Sequence, residues 1–147
     1  MTKRKIVTIV VAVVLAALCL AAVKLWFTPK FRATLFVMRY GDYVEEKYEN
    51  RILISKENVN CISMTYYGSK YRHPMIEFDL CGFGIAPSST YYGCFYSPDD
   101  VPLVYGQMNY TLVKQSEGYW TWAEKDGDNH GSVAKIKDCW YYFSASF

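Results

Sequence analysis

Two histidines, His73 and His130, are the side chains of this 147-residue chain that ordinarily titrate near neutrality, so general acid–base chemistry would turn on them. His73 precedes Pro74 and stands in phase with Glu77 and Asp79, which places all three on one face of a strand. At about 3.3 Å per residue, however, His73 lies roughly 13 Å from Glu77, too far for a direct hydrogen bond, so solvated strand residues are the expectation. The run Asp126-Gly127-Asp128-Asn129-His130-Gly131 opens like an oxygen-rich calcium loop, with acids at the first and third places and Gly at the sixth. His130 then takes the fifth place and Lys137 the twelfth, where a bidentate Glu is needed, so a polar turn accounts better for the same letters. Ser88, Ser89 and Ser97 lack a Gly-x-Ser-x-Gly elbow, and Gly82-Phe83-Gly84 is too short to cradle a phosphate. No catalytic residue, metal or cofactor is therefore assigned.

Aromatic density is the stronger signal. The pairs Tyr66-Tyr67, Tyr91-Tyr92 and Phe95-Tyr96, the Tyr119-Trp120-Thr121-Trp122 segment and the run Trp140 to Phe143 would put rings on both faces of a sheet, because adjacent side chains alternate. One helix covers one face. Trp120, Trp122, Trp140 and Tyr142 are thus candidates for an exposed platform that stacks on a glycan or a peptide, against the simpler reading that they enlarge a small core. Asn109-Tyr110-Thr111 fits a glycosylation acceptor on a eukaryotic secretory route.

Five cysteines occur, Cys19 within the first apolar run and Cys61, Cys81, Cys94 and Cys139 beyond it. Those four are possible disulfide cysteines with three ways to pair, or free thiols packed as small apolar side chains. A zinc site is not expected, since no two cysteines are two to four residues apart.

The elements that would position these residues follow from periodicity. Phe31 to Ile52 reads as one helix with Phe36, Tyr40, Val44, Tyr48 and Ile52 in an i, i+4 stripe, although Asp42 and Glu45 also fit a capping box for a shorter helix after a strand over Ala33 to Arg39. Met75 to Leu80 alternates as a strand with Ile76, Phe78 and Leu80 buried and Glu77 and Asp79 wet. Val59 to Tyr67, Thr90 to Tyr96, Tyr110 to Gln115, Tyr119 to Glu124 and Cys139 to Phe147 supply further strands between turn-forming segments. The fold class expected is α+β: an N-terminal transmembrane helix, one further helix, and a mainly antiparallel, meander-like sheet.

From Ile6 to Val23 there are 18 residues without charge, Gly or Pro, which as a helix rise about 27 Å, close to the hydrocarbon thickness of a bilayer. The run is longer than a cleavable signal needs, and Trp26 and Phe27 suit the interface beyond it. Residues 1–5 are accordingly read as a cytoplasmic basic tail, 6–27 as a single-pass signal-anchor helix in the lipid bilayer and 28–147 as one extracytoplasmic α+β domain. Outside Lys3, Arg4 and Lys5, the chain carries 13 basic and 14 acidic side chains, a balance that excludes nucleic acid as a partner. The leading expectation is a membrane-anchored, non-catalytic binding or structural module with a protein or glycan partner. One alternative is a small cell-surface hydrolase or metal-dependent enzyme using His73 or His130, which requires the two histidines and Asp126 to Asp128 to converge. Another is an immunity- or inhibitor-type protein acting on a membrane partner.

Overall fold

The computed structural model describes the backbone of residues 3–26, 28–68, 70–85 and 88–147, and side chains except those at 1–9, 22–23, 25–27, 69 and 85–87. It is an α+β protein of two helices and one seven-stranded antiparallel sheet. Helix α1 is Lys3–Trp26. Among the described side chains, which in α1 are those of residues 10–21 and 24, no helix is long and apolar enough to cross a membrane. The expected span over 6–27 lies partly outside the described residues.

Helix α2, Pro29–Glu49, is a single helix, so the alternative of a strand over Ala33 to Arg39 is not taken. Pro29 suits its first position, where the N–H would have no helical partner, and Thr28 before it is extended. Ala33, Phe36, Val37, Gly41 and Val44 form its buried stripe. The helix ends earlier than expected because Arg51 adopts φ 57 and the Ile52 N–H reaches back 2.8 Å to the Lys47 carbonyl, which turns the chain out and leaves Ile52 off the stripe. The Lys137 side chain crosses α2 at Gly41, where a Cβ would lie 3.2 Å from its Nζ.

The strands are β1 (Ser63–Tyr67), β2 (Met75–Ile85), β3 (Ser88–Tyr96), β4 (Val113–Ser116), β5 (Tyr119–Ala123), β6 (His130–Lys137) and β7 (Trp140–Ser146). Their order is β1-β2-β3-β7-β6-β5-β4, so the simple meander is corrected: two meanders meet where β7 pairs with β3. Strand β6 was not expected. Its alternation is blurred because Val133 packs on one face, Ala134 and Ile136 on the other, and Lys135 and Lys137 interrupt.

Helix α2 packs over β2, β3 and β7, burying Ile76, Phe78, Cys94, Tyr96, Trp140 and Tyr142 beneath it. Segment 97–112, which carries the chain from β3 to the far edge, covers part of the opposite face with Leu103, Val104, Tyr105, Tyr110 and Leu112 against Phe95, Tyr141, Phe143 and Trp122. This second layer overturns the expectation that Glu77 and Asp79 point into water. A bulge after Asp79 then reverses the alternation, so that Leu80 and Cys81 successively face the helix side. Gly93 is required at the centre, because a Cβ there would sit 2.0 Å from the Phe78 carbonyl oxygen.

Candidate functional site

Cross-strand register separates the two histidines. His73 precedes β2 at the end where Ile76 pairs with Tyr96 and Tyr96 with Trp140, whereas His130 pairs with Ser146 and Ser146 with Thr90. Those rows are six positions apart along β3, roughly 20 Å of strand. His73 Nδ1 lies 3.1 Å from Asp99 Oδ2, and His130 Nδ1 lies 2.7 Å from the Asp128 carbonyl oxygen. Among the described residues no group of acids, cysteines and histidines has the arrangement of a metal site. The structure does not bring His73, His130 and Asp126 to Asp128 into one site.

The structure divides Trp120, Trp122, Trp140 and Tyr142 between the two faces of the sheet. Trp140 is fully buried under α2, stacked at 5.9 Å on Phe78, with its Nε1–H donating to Glu45 over 2.7 Å. Tyr142 is buried on the same side. Trp122 is buried on the other side, stacked 4.8 Å from Tyr110, with its ring against the bare Cα of Gly131. Trp120 is half-buried and edges onto Tyr141. Facing pairs of rings make the core on both sides of the sheet, and two covering segments, rather than one helix, close over them.

Cys61, Cys81, Cys94 and Cys139 are free thiols in this structure. Cys94 is buried at the centre of the helix-side core, where loss of solvent pushes its thiol well up. Cys139 occupies the β6–β7 turn at φ 63, its N–H donating over 2.8 Å to Asp100.

A buried polar cluster was missed by the periodicity argument. The Glu77 side chain, 3% exposed, accepts the Gly106 N–H at 2.8 Å and the Tyr67 hydroxyl. Burial pushes its carboxyl up to about 7. Two residues on, Asp79 accepts from Ser63, while its Oδ1 is buried without a hydrogen-bond partner; burial again raises its carboxyl. Tyr105, also raised by burial, closes this cluster from segment 97–112. Gly106 at φ 61 and Gln107 at φ 51 hold the segment in the left-handed turn that aims the Gly106 N–H at Glu77. The cluster fastens the covering segment to the sheet.

The accessible polar surface lies elsewhere. The sheet outgrows α2, leaving uncovered the helix side of β4 and β5, the His130–Ser132 end of β6 and the adjoining ends of β3 and β7. This shallow depression of about 620 Å³ is lined by Thr90, Tyr92, Thr121, Ser132, Ser144 and Ser146, with Gln115, Tyr119 and His130 at its rim. The hydroxyls pair across strands: Ser132 with Ser144 at 2.8 Å and Thr90 with Ser146 at 3.0 Å, while Gln115 donates to Thr121 over 2.8 Å. His130 is the single titratable side chain in this lining apart from the tyrosines. A surface of this kind can exchange hydrogen bonds with a polar ligand; it offers no carboxylate, lysine or thiol with which to attack one. No known family profile, no curated protein and no solved structure matches the chain.

Proposed function

We propose that the chain is a single-pass membrane-anchored module that acts by binding on its extracytoplasmic side, with the hydroxyl-lined sheet surface as the binding face and a neutral glycan as its ligand. The observation that carries this is the uncovered side of β4, β5 and the His130–Ser132 end of β6, where Thr, Ser and Gln side chains lie in register beside the rings of Tyr92 and Tyr119. Hydroxyl partners satisfy a sugar's donors and acceptors, and tyrosine faces stack on its C–H side. The anchor is supported by 18 uncharged residues, Ile6 to Val23, inside one 24-residue helix with Lys3, Arg4 and Lys5 ahead of them.

The test uses the full chain reconstituted in nanodiscs and probed on an array of neutral oligosaccharides. Ser132→Ala combined with Ser144→Ala removes both members of a hydrogen-bonded pair, and affinity is expected to fall roughly tenfold. Wild-type protein that binds no oligosaccharide sinks the glycan reading. A second reading, a protein segment as occupant, is favoured by β4, an exposed four-residue edge strand whose outer side has no partner strand. A photo-crosslinker at Gln115 that captures one defined protein from intact cells, in the absence of glycan binding, would select it. For the anchor, the protein is expected in the pellet after alkaline carbonate extraction, with residues 28–147 open to protease added outside. Release of the chain to the supernatant would remove that part of the proposal.

A further inference from the structure

We infer that Phe83, in the outer part of β2, is a second membrane contact, entering the bilayer interface beside the point where α1 leaves it; this rests on the anchor reading above. Contacts along α2 fix the direction of β2. Tyr48, near the end of α2, meets Tyr96 at 5.4 Å, Phe36 meets Phe78 at 5.0 Å, and Arg32 in the first turn lines one cavity with Leu80. Strand β2 therefore runs toward the start of α2, and it continues from Leu80 to Ile85, about 16 Å further. Since α2 begins at Pro29, three residues after α1 ends at Trp26, the outer part of β2 with Phe83 lies at the end of the domain that adjoins the anchor.

The chemistry of that end suits lipid. From Leu80 to Pro98 the chain carries no charged residue. Phe83 is 66% exposed and Ile62, beside it in the cavity at the β1 edge, is 61% exposed. Large apolar side chains exposed on this part of the sheet are each stabilised by about 2 kcal/mol on burial, which an interface supplies. Arg32, exposed at the first turn of α2, stands where a headgroup phosphate would meet it.

The experiment places a diazirine amino acid at position 83 of the full chain in liposomes of phosphatidylcholine and phosphatidylglycerol. The comparison site is Leu53, which is 83% exposed and follows the opposite end of α2. Both side chains are already exposed, so neither replacement disturbs the core. Position 83 is expected to yield about tenfold more lipid adduct than position 53 after irradiation. Equal yields, or adducts at 83 confined to a second copy of the protein, would overturn the inference. Carbonate extraction of the same liposomes separates the outcomes: a chain that stays integral while position 83 gives no excess refutes the Phe83 contact alone, whereas an extracted chain refutes the anchor.

Discussion

Trp140→Ala is expected to destabilise the domain by about 4 kcal/mol, the range for deleting a buried large ring, and to lower the unfolding midpoint by roughly 15 °C. The indole is fully buried, stacked on Phe78 and tilted against Tyr96 at 5.4 Å, so alanine leaves a cavity where three strands meet α2. It also removes the donor to Glu45, whose other close partner is Lys137 at 2.9 Å. Trp140→Phe should recover most of the ring packing and still lose that hydrogen bond, leaving a cost of about 1–2 kcal/mol. Urea titrations of the detergent-solubilised full chain, followed by near-ultraviolet circular dichroism, measure both. An alanine variant as stable as wild type would contradict the packing described here.

The second large effect has the opposite sign. The Glu77 carboxyl is pushed up to about 7 in the folded protein from 4.5, chiefly by burial, with nearby Asp79 acting in the same direction and the Gly106 N–H and Tyr67 hydroxyl opposing. The folded state therefore holds a proton that the unfolded state has released between those values. The stability this contributes is complete below about pH 4.5 and is lost as pH rises through about 7, by roughly 3 kcal/mol in all. Asp79 titrates in the same sense, and the raised hydroxyls of Tyr67 and Tyr105 face the pair without taking a charge in this range. Glu77→Gln still accepts from Gly106 and carries no charge. It should be more stable than wild type at pH 8, by roughly 2–3 kcal/mol, and nearly equal to it at pH 4.5. Equilibrium unfolding of the two proteins at both values checks this, and the prediction fails if Glu77→Gln gains nothing at pH 8.

Sequence reasoning reached the elements better than their surroundings. The stripe through Phe36, Tyr40 and Val44 announced α2, and the alternation from Met75 to Leu80 announced β2, because local periodicity reports which side chains share a face. It does not report what covers that face. Glu77 and Asp79 read as wet residues, yet segment 97–112 lies over them, and nothing within β2 itself encodes that contact. The burial of Trp122, Trp140 and Tyr142 was hidden for the same reason: their alternation suits a platform, and it suits equally well a core sealed from both sides. The hydroxyl face was missed because Ser132, Ser144, Ser146 and Thr121 are individually unremarkable and come from β5, β6 and β7; pairing brings them together only once β6 is recognised.

Strand order also governs when the domain can exist. Because β7 lies between β3 and β6, the half made of β1, β2 and β3 and the half made of β4, β5 and β6 share no ladder until Trp140–Ser146 has been synthesised. Until then the β3 edge, and from Lys137 the β6 edge as well, stay open on the nascent chain, and the joining of the two halves waits on β7. A premature stop upstream of Trp140 would deliver two unjoined half-sheets to quality control in place of a weakened domain.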